Sequence, residues 1–331
     1  MLLKNHDAIL SDLDGVVYAG PHAIDGAPQA LNRAEDEGVP VAFVTNNASR
    51  SVETIAEHLR SLGVNTSAER IVSSAQAAAE LLREHLKTGA KVLITGTQDL
   101  AECVEAAGFK AVYHQTENPQ AVVQGFNPKM VWENLAEAAF TLADPEILWI
   151  ATNTDWTIPQ ARGMAPGNGT LVHAVAKATG RTPYIAGKPE AAIFRTGAQK
   201  LKSTAPVVVG DRLDTDIRGG NKAGIATACV LTGVESYQSI LQAPTFDRPD
   251  YILSTLNDFF IEYPKITVTS EGESYTAEGA GYHAKVEGEI LTITGEGEEP
   301  DAWRVACAAW WTAYPQERES HQPKEIIRGK R

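Results

Sequence analysis

Short apolar runs alternate along the chain with stretches in which apolar residues recur every third or fourth position, the pattern of strands alternating with amphipathic helices. Ala8 to Leu13 reads as a first strand running into Asp12-Leu13-Asp14-Gly15. Asp25 then suits the cap of a helix carrying Ala27, Ala30, Leu31 and Ala34 on one face, with Gly38 to end it. Val39 to Thr45 is the next strand, ending in Asn46-Asn47, and Ile55, Leu59 and Leu62 mark a helix stopped by Gly63. A helix near Ser74 to Lys87 and strands at Val92 to Thr95, Ala121 to Val123 and Ile147 to Ala151 follow. The pattern resumes at Gly187-Lys188-Pro189-Glu190. Pro189 suits a first helical position, which places Lys188 at a strand-to-helix junction, and the helix runs to about Leu201 before Val207-Val208-Val209-Gly210-Asp211. Strand–helix–strand repetition of this kind predicts a parallel sheet covered on both faces, an α/β fold.

The expected organisation is a core in two parts, residues 1–74 and 184–262, interrupted by an inserted α/β domain over 75–183. From residue 263 the texture changes: Ile266 and Val268, then Leu291 and Ile293, alternate as in half-exposed strands. A helix capped by Asp301 is expected to carry Trp303, Cys307, Trp310 and Tyr314, so 263–331 reads as a small α+β extension. Its last part, Pro315 to Arg331, is polar and is expected to fray. The glycines between 163 and 169 are expected to form a plain loop, because no Gly-Lys-Ser/Thr ending accompanies them.

Composition narrows the function classes. The chain has 331 residues, 43% of them hydrophobic, and a net charge of −13, so its field repels phosphate backbones and anionic lipid. Neither nucleic acid nor a membrane is the expected partner. Cys103, Cys229 and Cys307 are far apart and show no metal-ligand spacing, which fits a reducing cytoplasm. No apolar stretch approaches the ~18 residues that span a bilayer, and no targeting signal or anchor is expected.

The candidate chemistry lies at strand ends, the edge where open α/β sheets bind ligands. Asp12 and Asp14 are two positions apart, and Gly15 allows a bend that aims both carboxylates into a crevice. Two acids so placed can divide labour, one ionised and one carrying a proton. Thr45 offers a hydroxyl, Asn46 a nearby backbone N–H and Lys188 a positive charge, the groups that phosphoryl transfer requires. Asp211 offers an oxygen ligand to a hard cation, with Asp216 in the next turn to orient it. Asn47, Ser49, Asn153 and Asp155 either touch substrate or cap helices and hinge a lid.

The ordered set Asp12-Leu13-Asp14-Gly15, Val44-Thr45-Asn46-Asn47, Gly187-Lys188-Pro189 and Gly210-Asp211-Arg212-Leu213-Asp214-Thr215-Asp216 resembles the haloacid-dehalogenase-like (HAD) hydrolase superfamily over about residues 7 to 260. Lys188 follows Thr45 by 143 positions whereas Thr45 follows Asp12 by 33, so the insertion takes the second of the two possible slots. With Ala151-Thr152-Asn153-Thr154-Asp155 and Pro166-Gly167-Asn168-Gly169, this is similar to the NagD-like, phosphoglycolate-phosphatase-like or 4-nitrophenylphosphatase-like group. The resemblance implies a Rossmann-like three-layer HAD core with an inserted α/β cap of the C2 type. It further implies a Mg²⁺-dependent phosphatase in which Asp12 is the nucleophile and Asp14 the general acid and base. Metal would be held by Asp12, Asp211 and the backbone carbonyl of Asp14, and phosphate by Gly15, Thr45, Asn46, Asn47 and Lys188. The second acid of the opening motif speaks against dehalogenation.

The extension is similar to one found in actinobacterial glycerol-3-phosphate phosphatases, so glycerol 3-phosphate is the first expected substrate. Phosphoglycolate, 4-nitrophenyl phosphate, pyridoxal phosphate and nucleotide monophosphates are alternatives, as are transfer to another acceptor and a silent phosphate-binding module. A homodimer through the cap or the extension is a further expectation of the resemblance.

Overall fold

The structure, a computed structural model, describes residues 1–160 and 162–329. Its contacts divide the chain into two compact units, one made of Met1–Val41, Leu62–Val64 and the chain from Leu201 onward, the other of Ala42–Ser61 and Asn65–Lys200.

In the first unit four parallel strands lie in the order Tyr251–Leu253, Ala226–Val230, Pro206–Gly210, Ala8–Ser11. The two strands Ala8–Ser11 and Pro206–Gly210 are buried along their whole length, as expected of a sheet covered on both faces. Ser11 pairs with Val209, so Asp12 and Asp211 leave the carboxyl ends of adjacent strands. The first helix runs Ala27–Asp36, and its N-cap position is taken by Gly26 at φ 74°, not by Asp25; the chain turns into the helix through an Ala27 N–H to Ile24 carbonyl bond.

The same unit carries a mainly antiparallel sheet of Thr267–Glu271, Ser274–Gly279, Tyr282–Glu287, Ile290–Gly295 and Glu325–Gly329. Its inward positions, Ala277, Ala284, Val286, Leu291 and Ile293, pack with the helix Glu299–Ala313 into one buried cluster. Two expectations are corrected here. Asp301 does not cap this helix: Glu298 holds the N-cap position, and Asp301 sits in the first turn bonded to Arg304. The terminal segment does not fray over its whole length, because Glu325–Gly329 pairs in parallel with Ile290–Thr294. That edge strand is exposed at every position and is held by main-chain bonds, which require no apolar pattern.

In the second unit Phe43–Thr45, the end of the strand Val41–Thr45, pairs in parallel with Ile71–Ser73. A separate five-stranded parallel sheet has the order Tyr184–Ile185, Leu148–Ala151, Ala121–Gln124, Lys91–Thr95, Lys110–Val112. The helices Ser74–His85, Gln98–Ala106, Trp132–Thr141 and Asn168–Thr179 belong to this unit. Ser73 opens the first of them with a capping box completed by Gln76. The loop expected over 163–169 is instead the second strand of an antiparallel hairpin, Thr157–Gln160 with Gly163–Pro166, followed by the start of the Asn168–Thr179 helix. Pro189 does not open a helix: a Glu190 N–H to Gly187 carbonyl bond closes a turn there, and the helix runs Ala191–Leu201. No helix among the described residues is long and apolar enough to cross a membrane.

Candidate active site

The first unit gathers acidic groups at the ends of its two central strands. Asp12 anchors by its N–H to the Val209 carbonyl (2.9 Å), and Gly15, at φ 81°, turns the chain so that its own N–H meets the Tyr18 carbonyl (2.8 Å). Only glycine suits this position. The φ is left-handed, and a β-carbon there would also overlap the Asp211 carboxylate. Among the described residues, Asp12, Asp211 and Asp216 bring one carboxylate oxygen each within 4.8 Å of one another. Asp216, read from the sequence as an orienting residue, therefore stands in the cluster itself. It lies in a π-helical turn, Leu213–Ile217, and Gly210 allows its close approach, since any β-carbon at Gly210 would overlap it.

Asp14 lies beside this cluster at an exposed position. Partial burial, and after it the Asp12 charge, push its carboxyl above the ordinary carboxylate range, against the pull of the Gly15 and Gly20 N–H groups. A raised acid next to a carboxylate cluster is suited to carry a proton. The donor set of the cluster is all oxygen, three carboxylates together, which fits a hard divalent cation such as Mg²⁺ better than a thiophilic one.

The segment Thr232–Glu235, which has no expected role in the sequence, completes this cluster. Thr232 Oγ1 donates to the Gly15 carbonyl (2.7 Å), Val234 N–H donates to Asp211 Oδ2 (2.9 Å), and Glu235 Oε1 accepts from Leu213 N–H (3.1 Å). Gly233 between them leaves no room for a β-carbon against Asp211. Thr-Gly-Val-Glu carries no chemical signature; an apolar strand followed by a threonine and a glycine is the only hint it offers.

The second unit builds a cradle around Asn46. Its side-chain amide donates to both carboxylate oxygens of Asp155 (3.2 and 3.3 Å) and to the Lys188 carbonyl (3.2 Å), while its Oδ1 accepts from Lys188 N–H (2.7 Å). The Asn46 carbonyl in turn accepts from Ser74 Oγ (2.7 Å) and Asn153 Nδ2 (2.8 Å). Gly187 is required by this closeness, because a β-carbon there would meet Asn46 Oδ1 and the Thr152 carbonyl. Thr45 is buried at the strand end, and its Oγ1 accepts from Asn47 N–H (3.1 Å), which leaves its hydroxyl proton free to donate elsewhere. Lys188 is 4% exposed. Asn47 accepts from the Ser49 N–H and hydroxyl (2.8 and 2.9 Å), an Asx turn, and Asn153 accepts from Asp155 N–H (3.2 Å). Asn153 and Asp155 thus both bond to Asn46 through their side chains.

The chain is similar to known proteins over most of its length. The model of haloacid dehalogenase-like hydrolases matches residues 9–110, and a HAD-hydrolase-like model matches 185–259. The chain is 40% identical over 300 residues to the D-glycerol 3-phosphate phosphatase of Mycobacterium tuberculosis, covering 91% of this chain and 82% of that one. It is 34% identical to the acid sugar phosphatase of Staphylococcus saprophyticus, which it matches over that protein's whole length with 80% of its own. Among solved structures, the M. tuberculosis glycerol phosphate phosphatase in complex with magnesium superposes with a TM-score of 0.86 at 37% identity, covering 100% of this chain and 95% of that one. The p-nitrophenyl phosphatase of Archaeoglobus fulgidus superposes with a TM-score of 0.70 at 31% identity, over 77% of this chain and 98% of its own.

Proposed function

This chain belongs to the haloacid dehalogenase-like hydrolase family, and we propose that it is a Mg²⁺-dependent phosphatase acting on glycerol 3-phosphate through an aspartyl-phosphate intermediate. The observation that carries this reading is the Asp12–Asp211–Asp216 carboxylate cluster with a raised Asp14 beside it, in a chain so similar to a glycerol-phosphate phosphatase.

Asp12 attacks phosphorus in line, and its carboxylate oxygen takes the phosphoryl group as the bond to the glycerol oxygen breaks. Asp14, whose carboxyl holds its proton more tightly than an ordinary carboxyl because of partial burial and the Asp12 charge, gives that proton to the departing alkoxide. The resulting Asp14 carboxylate then takes a proton from water, the water attacks the phosphoryl group on Asp12, and phosphate leaves with Asp12 restored. Gly15, Thr45, the Asn46 N–H, Asn47 and Lys188 hold the phosphoryl oxygens, Lys188 supplying the positive charge. Asp12, Asp211, Asp216 and the Asp14 carbonyl would hold Mg²⁺, which would neutralise the phosphoryl charge.

We assign residues 75–183 as the cap, 1–74 and 184–262 as the core and 263–331 as an added segment. The three cysteines are free thiols, as a reducing cytoplasm keeps them, and we place the enzyme there.

The test is phosphate release from glycerol 3-phosphate, phosphoglycolate, sugar phosphates and 4-nitrophenyl phosphate, with Mg²⁺ or with EDTA. Release should require metal, should be fastest in kcat/KM on glycerol 3-phosphate, and should fall at least about a thousandfold in Asp12→Asn. A higher kcat/KM on another member would replace the substrate, and turnover surviving in Asp12→Asn would remove Asp12 as nucleophile.

A further inference from the structure

The loop Thr232–Glu235 grips the carboxylate cluster at Gly15, Asp211 and Leu213, and the chain leaves it directly into the helix Tyr237–Leu241. A helix of five residues does not stand alone in water, so its position depends on what it packs against. The long C-terminal helix Glu299–Ala313 holds it at both ends. Tyr237 lies stacked on Trp303, with ring centroids 5.6 Å apart and planes within 3°, and the Trp311 indole N–H donates to the Leu241 carbonyl at 3.0 Å. Trp303 is itself fixed: its indole N–H donates to Glu299 (2.7 Å), and the Arg328 guanidinium lies 4.7 Å over its ring. Leu213 and Ile217, from the turn that bears Asp216, share one buried cluster with Ile240, Leu241 and the apolar face of the long helix.

We propose that the C-terminal segment is a positioning device for the divalent-cation site, and that Tyr237, Trp303 and Trp311 are its positioning residues. By clamping the short helix they fix the loop before it, and the loop fixes the direction of the Asp211 carboxylate through Val234 N–H. A ligating carboxylate whose orientation is set in advance binds its cation without an ordering cost, and loss of such outer partners weakens metal binding. The inference rests on reading Asp12, Asp211 and Asp216 as that cation site.

The experiment measures Mn²⁺ binding to the full chain by electron paramagnetic resonance, alongside thermal unfolding in EDTA, for wild type, Tyr237→Ala, Tyr237→Phe and Trp311→Phe. Tyr237→Ala and Trp311→Phe should raise the Mn²⁺ Kd by roughly tenfold, the lower end of what outer partners of metal ligands supply. Tyr237→Phe keeps the stacked ring and should stay near wild type. A merely structural clamp would lower the unfolding temperature and leave Kd unmoved, so wild-type Kd in the folded Trp311→Phe and Tyr237→Ala proteins overturns the inference. Trp311→Phe removes a single donor and decides the matter alone if Tyr237→Ala does not fold. Failure of wild type to bind Mn²⁺ would instead overturn the cation-site reading, and the inference with it.

Discussion

Two glycines and a main-chain N–H approach Asp211 closely, whereas a carboxylate, an asparagine, a serine and the backbone of Lys188 are all hydrogen-bonded to Asn46. The first arrangement brings carboxylates within 4.8 Å of one another by close approach of the backbone. Such crowding of like charge is unfavourable in itself, and an all-oxygen set of this kind suits a hard divalent cation. The second arrangement is satisfied internally, each polar atom of the Asn46 side chain bonded to the chain. It ties Asn46, the residue after Thr45, to the backbone of Lys188. Residue type alone does not separate the two: Asn46 and Asp155 look as reactive in a sequence as Asp12 and Asp211, and only the partners tell which are spent on architecture.

The largest expected effect breaks the first arrangement without touching a carboxylate. In Gly233→Ala the new β-carbon overlaps the Asp211 side chain from its β-carbon to its carboxylate, so Asp211 or the loop must shift and the cluster geometry with it. Metal affinity and kcat/KM should fall about 10- to 100-fold, as loss of partners of metal ligands does. Metal titration of activity checks this, and an unchanged metal requirement would mean that Asp211 is free to move without consequence.

Next in size is the second arrangement. Asn46→Ala leaves Asp155 and the Lys188 N–H and carbonyl without this partner. At about 1 kcal/mol or more for each bond lost from a partly buried group, the fold should lose roughly 2–4 kcal/mol, read as a drop in the midpoint of urea unfolding at unchanged m-value. Asn46→Asp should be worse at pH 7 than at pH 4, because it sets a second carboxylate against Asp155 in place of a donor.

A smaller effect of opposite sign separates function from stability in the first arrangement. The Asp14 carboxyl is raised in the folded protein by burial and by Asp12, so folding favours its protonated form. That contribution is fully present below the unfolded value of about 4 and is lost as pH rises through the raised folded value. Asp14→Asn, neutral at every pH, should therefore unfold at a higher temperature than wild type at pH 7 in EDTA, with the gap closing toward pH 4, while its phosphatase activity collapses. A lower unfolding temperature for the variant at pH 7 would show that the Asp14 charge is stabilised by partners.

Much of this was legible in the sequence, for definable reasons. Apolar runs that end in Asp12 and in Asp211 announce buried parallel strands, and a strand buried on both faces can place polar groups only at its ends. The joint appearance of Thr45, Lys188 and Asp211 at such ends added a pattern that no single residue carries. What stayed hidden depends on main-chain bonding or on shape. The edge strand Glu325–Gly329 is exposed throughout and has no alternation to show. The Thr232–Glu235 grip uses a threonine hydroxyl, one main-chain N–H, a glutamate oxygen and the absence of a β-carbon, and a glycine that avoids a clash reads like any other glycine. Asp301 is a good helix-capping type, yet the cap falls at Glu298 because Pro300 already suits the first turn.

The least expected effect sharpens the second arrangement at its margin. Ser49 was a candidate either for substrate contact or for local capping, and its hydroxyl and N–H both donate to Asn47 Oδ1 at 2.9 and 2.8 Å. The Asx turn keeps its N–H bond in Ser49→Ala and loses only the hydroxyl. A lost side-chain bond in an exposed turn costs within about 0.5 kcal/mol, so unfolding should be nearly unchanged. If the hydroxyl is spent on the turn, KM for glycerol 3-phosphate should also stay within about twofold, since no transition-state or ground-state contact is removed. A severalfold rise in KM with unaltered stability would place the Ser49 hydroxyl on the substrate, and would show that a residue bonded within its own turn can still exchange that bond for a ligand's oxygen.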